Sequence, residues 1–176
     1  RNRRLVATGH TGKTVRVWDA ATGVRLLKLF GHVGQVAAIA FSPRGDLVAS
    51  ASTDGTARVW RVDTGQSVAV LSGHGNSLTD VEFGPDGTQV VTASEDRTAR
   101  VWSVGTGALL AVLRGHRDAL TSAVFARTGG VVVTASSDGT VRTWDAEGRP
   151  ELQLLAKLAP LHFAVDTGRW VTLRRL

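Results

Sequence analysis

Three copies of a Ser/Thr–His–Asp set recur at one fixed spacing: His32, Ser50 and Asp54; His74, Thr92 and Asp96; His116, Thr134 and Asp138. A hydroxyl, an imidazole and a carboxylate are the parts of a nucleophilic triad, in which the carboxylate orients the imidazole and the imidazole takes the hydroxyl proton. Three equivalent copies argue against that use, because catalysis needs one cleft with its own oxyanion donors, and none of the three stands on a nucleophile elbow. A second candidate is Ala7-Thr8-Gly9-His10-Thr11-Gly12-Lys13-Thr14, a relaxed phosphate-loop pattern with Ala in place of the first Gly. Such a loop needs a helix after it, so that N–H groups at the helix start meet the phosphates. Here the alternating run Thr14-Val15-Arg16-Val17-Trp18 follows, so the segment reads as a hairpin turn. The five His stand at 10, 32, 74, 116 and 162 with no pair at ligand spacing, and there is no Cys. No catalytic residue, metal or cofactor is expected.

The elements that would carry these residues follow from a repeat. Trp18, Trp60, Trp102 and Trp144 are separated by three successive intervals of 42 residues. With 5 Trp in 176 positions, such placement is a roughly one-in-40,000 accident. The Gly-His pairs at 31–32, 73–74 and 115–116 keep the same spacing, as do Arg16, Arg58, Arg100 and Arg142. Each unit reads as β. A first run (Val36–Phe41, Leu78–Phe83, Leu120–Phe125) leads through a turn to a second (Leu47–Ser52, 90–94, Val131–Ser136). A tight turn follows at Asp54-Gly55, Asp96-Arg97 and Asp138-Gly139, read as a two-residue hairpin with positive φ at both positions. A third strand ends at Trp, and a fourth (24–30, Ser67–Leu71, 108–113) leads into the next Gly-His.

The segments Asp54-Gly55-Thr56-Ala57-Arg58-Val59-Trp60, Asp96-Arg97-Thr98-Ala99-Arg100-Val101-Trp102 and Asp138-Gly139-Thr140-Val141-Arg142-Thr143-Trp144, each with an upstream Gly-His, resemble the WD40-repeat family of β-propellers. The Trp-Asp pair itself stands only at Trp18-Asp19 and Trp144-Asp145; Trp60-Arg61 and Trp102-Ser103 depart from it. The resemblance implies an all-β propeller arc of about four blades, each of four antiparallel strands. It also implies a structural hydrogen-bond tetrad in each full blade: His32, Ser50, Asp54 and Trp60; His74, Thr92, Asp96 and Trp102; His116, Thr134, Asp138 and Trp144. The first unit has Gly12 where the turn Asp should stand and no upstream Gly-His, so no tetrad is expected there. The expected division is 1–31 (a partial blade of three strands), 32–73, 74–115, 116–157, and a divergent partial blade at 158–176. In that last segment 161–165 and 169–173 read as two strands, with Trp170 as packing.

Composition bounds the rest. Hydrophobic residues make up 43% and charged residues 20%, the balance of a folded domain. No apolar stretch approaches the roughly 20 residues of a membrane-spanning helix, so no membrane partner is expected. The net charge of +6 gathers at Arg1, Arg3, Arg4, Arg169, Arg174 and Arg175, at the two ends. A nucleic-acid stripe belongs on a folded face, so no nucleic-acid partner is expected. The chain holds no Met, which fits a piece of a longer protein. The ring would then close with further blades of the same chain, with a second copy, or as four blades with 161–165 completing the first.

The family resemblance implies a non-catalytic scaffold that binds a protein or peptide partner through loop rims. The rim positions are Gln35, Thr53, Asn76, Ser77, Glu95, Arg117, Asp118 and Ser137, where the repeats differ from one another. The alternative is the sensor or regulatory propeller of a larger bacterial signalling enzyme, a protein kinase or NTPase, with its catalytic domain outside this chain. A cytoplasmic location is expected on either reading.

Overall fold

A computed structural model describes residues 4–9 and 12–146, together with the backbone of three further strands. Among these residues the chain forms strands only, joined by turns. β1 (Leu5–Gly9), β2 (Val15–Asp19) and β3 (Arg25–Leu29) make a three-stranded antiparallel sheet. Three four-stranded sheets follow. The second holds β4 (Val36–Phe41), β5 (Leu47–Ser52), β6 (Ala57–Arg61) and β7 (Ser67–Leu71); the third holds β8 (Leu78–Phe83), β9 (Gln89–Ser94), β10 (Thr98–Ser103) and β11 (Leu109–Arg114). The fourth holds β12 (Leu120–Phe125), β13 (Val131–Ser136), β14 (Val141–Asp145) and β15 (Pro150–Leu154). Last, β16 (His162–Val165) and β17 (Arg169–Thr172) pair with each other as a separate hairpin. Closure by residues 161–165 as a fourth strand of the first sheet is not the pairing found among the described residues, where β1 pairs with β2 and β16 with β17.

Sequential strands pair within every sheet, so strands that follow one another inside a sheet are antiparallel neighbours. Neighbouring sheets meet along their first strands, β4 against β8 and β8 against β12. The core lies between sheets. Val15, Val17 and Leu29 of the first sheet pack with Val48 and Trp60 of the second. Ala49, Val59 and Leu71 meet Leu78, Val81, Val90 and Trp102 at the next seam, and Val91, Val101 and Leu113 meet Phe125, Val132 and Trp144 at the last. Each in-register Trp from the second sheet onward thus fills the seam with the preceding sheet. Ala and Val on the second and third strands of a sheet let it approach closely.

The tight turns correct one expectation. Gly55, Arg97 and Gly139 have φ of 80°, 68° and 78°, but the preceding Asp residues do not have positive φ. The N–H of Gly55 donates to the carbonyl of Ser52 at 3.2 Å, so Thr53 and Asp54 are the central residues of the turn. Gly55 then forms a left-handed bulge, the three-residue hairpin connection rather than the two-residue one. The Asp side chains decide this: their inward hydrogen bonds, described below, hold that backbone. Lys13, one repeat before Gly55, has φ 63°, and it is followed by β2, the antiparallel partner of β1, where a phosphate loop needs a helix.

A non-Gly residue in the left-handed region costs about 1–2 kcal/mol, partly offset because Gly loses more chain entropy on folding. Arg97→Gly is therefore expected to raise stability by about 0.5–1 kcal/mol, read as a higher urea midpoint. A lowered midpoint would show that the Arg97 side chain contributes more to folding than its backbone costs.

Candidate functional site

Alternation fixes where the loops lie. In an antiparallel sheet the loops before the first strand and between the second and third share one end; the other two share the opposite end. The Gly-His loops and the Asp turns are therefore neighbours. The N–H of Thr53 donates to the carbonyl of Gln35 at 2.9 Å, Glu95 to Ser77 at 3.0 Å and Ser137 to Ala119 at 2.9 Å.

Beneath these loops one hydrogen-bond chain is built three times. In the third sheet Trp102 Nε1–H donates to Thr92 Oγ1 at 2.9 Å, and Thr92 Oγ1 lies 2.8 Å from His74 Nε2. His74 Nδ1 lies 2.8 Å from Asp96 Oδ2. The second sheet repeats this with Trp60, Ser50, His32 and Asp54 at 3.1, 2.8 and 3.0 Å. The fourth does so with Trp144, Thr134, His116 and Asp138 at 2.9, 2.8 and 3.0 Å. A single proton direction satisfies each chain: indole to hydroxyl, hydroxyl to Nε2, Nδ1–H to carboxylate. It requires a neutral imidazole carrying its proton on Nδ1.

The titration directions agree with that state. Burial lowers the His74 pKa, and the nearby Arg100 charge lowers it further, against the opposing hydrogen bond and charge of Asp96. His32 and His116 are lowered in the same way, with Arg58 and Arg142 in the role of Arg100. Burial pushes the Asp96 carboxyl up, but hydrogen bonds from Thr98, Gly75 and His74 outweigh it and hold the pKa at about 2. Asp54 and Asp138 are likewise well below the ordinary carboxylate value of 3.8.

The Ser50–His32–Asp54 connectivity is that of a hydrolytic triad, but its accessibility is not. Ser50 and Thr92 are 0% exposed and Thr134 is 1% exposed, so no substrate carbonyl can reach the hydroxyl. Each hydroxyl oxygen also accepts the indole N–H.

Sequence reasoning missed several members of this arrangement. Thr56, Thr98 and Thr140 each donate a 2.6 Å hydrogen bond to the Asp Oδ1 two residues before. The backbone N–H groups of Val33, Gly75 and Arg117 donate to Oδ2 at 2.8, 3.0 and 2.8 Å, tying the Gly-His loop to the Asp turn. In the first sheet half of the chain is present: Trp18 Nε1–H donates to Thr8 Oγ1 at 2.9 Å. Thr8 stands one repeat before Ser50, so the period itself carried that signal. A fourth omission crosses a seam. Asp80 is buried, and its Oδ2 accepts from Ser122 Oγ at 2.7 Å and from the Ala123 N–H at 3.3 Å, joining the third sheet to the fourth.

The Gly before each His has its own cause. Gly73 has φ 140°, and a Cβ there would lie 2.7 Å from Arg100 Nη1; at Gly31 and Gly115 the matching arginines would be 2.6 Å away. These guanidinium groups lie beside the tryptophans (Arg58 is 5.8 Å from the Trp60 ring centre), and their buried Nε atoms have no hydrogen-bond partner. Gly73→Ala is expected to cost about 1–3 kcal/mol, read from thermal or urea unfolding, because neither the φ nor the Arg100 contact can be kept unstrained. An unchanged midpoint would mean that the loop shifts freely.

The repeat model of the "WD domain, G-beta repeat" matches residues 23–61, 65–103 and 107–145, about two thirds of the chain. The chain belongs to the WD40-repeat family. Among curated proteins, one repeat length is similar to the "Nuclear distribution protein PAC1" of Mycosarcoma maydis, 48% identical over 42 residues. That stretch is 24% of this chain and spans only 9% of the relative's own length. The four sheets of three or four strands are accordingly WD40 blades, a fold of the protein-interaction scaffold type. The rim positions lie at one end of them. Gln35, Thr53, Asn76, Glu95, Arg117, Asp118 and Ser137 are exposed and Ser77 is half-buried. Thr53 Oγ1 is engaged in accepting the Gln35 N–H at 2.9 Å, so that position also shapes its loop. His10 lies outside the described residues, as do the side chains of His162 and Trp170.

Proposed function

We propose that this chain is a non-catalytic interaction platform that holds a protein or peptide partner against the loop end carrying Gln35, Asn76 and Arg117. One observation carries the reading. The same hydrogen-bond chain fixes the base of three successive loops, while their largely exposed tips, 33–35, 75–77 and 117–119, differ in charge, size and polarity. Val-Gly-Gln, Gly-Asn-Ser and Arg-Asp-Ala share a backbone frame, and the last two also share a side-chain oxygen, Asn76 or Asp118 Oδ1, that accepts the next N–H. A rigid frame with free tips lowers the ordering cost of binding.

The test is a matched affinity capture read by quantitative mass spectrometry. A triple variant at the rim (Gln35→Ala, Asn76→Ala, Arg117→Ala) is compared with one at the opposite end (Arg44→Ala, Pro85→Ala, Asp86→Ala). A protein held by the wild type and the second variant but lost from the first supports the rim. Loss from the second alone overturns it.

A further inference from the structure

The three loops differ most at two register positions, just before the Gly and just after the His. The pairs are Phe30 and Val33, then Ser72 and Gly75, then Arg114 and Arg117. One frame therefore presents an apolar pair, a small pair and a basic pair in order along one end of the blades. Phe30 and Val33 are 65% and 73% exposed, the most exposed large hydrophobic residues among those described. Lys28 Nζ sits 4.8 Å above the Phe30 ring and leaves the rest of it open.

At the other end Arg114 and Arg117 are exposed, and no described carboxylate lies within salt-bridge distance of either. Of the nearby acids, Asp118 and Asp138 are hydrogen-bonded elsewhere, and Glu95 stands exposed two residues before Arg97. Asp118 Oδ1 accepts the Ala119 N–H at 2.7 Å, and Asp138 Oδ2 accepts from His116 and from the Arg117 backbone. Arg97 adds a third exposed guanidinium. Gly55, its counterpart one repeat earlier, lies against the carbonyls of His74 and Asn76, so the repeat sets Arg97 beside the loop of Arg117. Arg97 keeps a left-handed φ where the full repeats on either side use Gly, a backbone strain that folding does not require.

From these observations, and resting on the rim reading above, we infer that the loop end binds an extended protein segment with an apolar residue at one end and clustered carboxylates at the other. The apolar end covers Phe30 and Val33, the carboxylates meet Arg114, Arg117 and Arg97, and the middle crosses the loop whose Ser72 and Gly75 are small. Guanidinium groups suit carboxylates because they bind them in a bidentate manner. Gly75 lets a backbone pass closely.

The probe is a fluorescein-labelled peptide with a leucine block and a glutamate block joined by Gly-Ser spacers of graded length, followed by fluorescence anisotropy. The best spacer is expected to bind at least about tenfold tighter than either block alone. Two loop swaps use residues that the fold already holds at these positions: Phe30→Ser with Val33→Gly, and Arg114→Ser with Arg117→Gly. Each should lose about tenfold with an unchanged melting curve, and the arginine swap should also flatten the salt dependence. Arg44→Ser, at the opposite end, should bind as the wild type does. Swaps that bind normally, or a linked peptide no tighter than its glutamate block, overturn the inference. A labelled oligouridylate that outcompetes the peptide through the same arginines overturns it in favour of RNA. If the rim triple variant still loses its captured protein while the peptide fails to bind, the composite segment falls and the rim reading stands.

Discussion

Asp96→Ala is expected to cost about 3 kcal/mol of folding stability. Its two carboxylate oxygens accept from four donors: His74 Nδ1–H and the Gly75 N–H on Oδ2, the Thr98 N–H and Thr98 hydroxyl on Oδ1. The His74 side chain is 0% exposed, so its Nδ1–H cannot turn to water once the carboxylate is gone. A stranded buried donor costs about 1–3 kcal/mol. The four costs do not add, because the exposed Gly75 N–H rehydrates and the buried Thr98 hydroxyl oxygen, 3.4 Å from His74 Nδ1, remains to accept from it. Asp63→Ala is the matched control. That carboxylate meets Arg61 at 3.0 and 3.1 Å, as many exposed ion pairs do, and its loss should leave the midpoint in place. A second check uses His74→Ala with Asp96→Ala. The two should cost clearly less together than the sum of the single changes, since each removes the other's partner. An Asp96→Ala midpoint equal to the wild type would mean that the tetrad is not buried in solution.

The repeat made most of this architecture legible. A fixed period with strand-length apolar runs yields the blades, and β4, β5, β7, β8, β12 and β13 have the bounds that the runs suggest. The tetrads were legible only through resemblance, because hydrogen-bond partners 18 and 22 residues apart leave no local pattern. What stayed hidden has a common physical cause: it is satisfied by backbone or by small hydroxyls. The Thr98 hydroxyl and Gly75 N–H that hold Asp96 look like ordinary turn residues in a sequence. The Asp-Gly pair suggested the wrong turn, because the Asp backbone is set by what its side chain reaches. Asp80 was detectable in principle, since Ala38, Asp80 and Ser122 share a register position and only the last two form a bond across a seam. Rim chemistry lies at the opposite extreme. Phe30, Ser72 and Arg114 are visible as differences between repeats, but it took the fold to place them in a row.

Acidification is expected to unfold the protein in two stages. The three His have lowered pKa values in the folded state, so below their unfolded value of 6.5 the unfolded chain binds protons that the native state refuses. Stability rises with pH wherever the unfolded state holds more protons, and therefore falls on acidification. The first loss starts as the pH drops through 6.5 and continues until the folded imidazoles themselves accept protons. The second starts near 3.8, where unfolded Asp protonates while Asp96 holds out to about 2 and Asp54 and Asp138 also remain charged. Urea midpoints measured from pH 8 to pH 3 should be level at first, then fall in both windows. The opposite slope is what an imidazolium–carboxylate pair would give: the folded His would hold its proton more tightly, and the midpoint would rise from pH 8 to pH 6. These outcomes separate two pictures with identical heavy-atom distances. The hydroxyl favours the first, because Thr92 already accepts the Trp102 N–H. A doubly protonated His74 would offer it a second donor and leave the Thr92 proton only the carbonyl of Arg100, 3.5 Å away. Long-range proton–nitrogen spectra of the imidazoles, showing a protonated Nδ1 and a bare Nε2 at pH 7 and still at pH 5.5, would fix the neutral state directly. Loss of that signature before the protein unfolds would reverse the assignment.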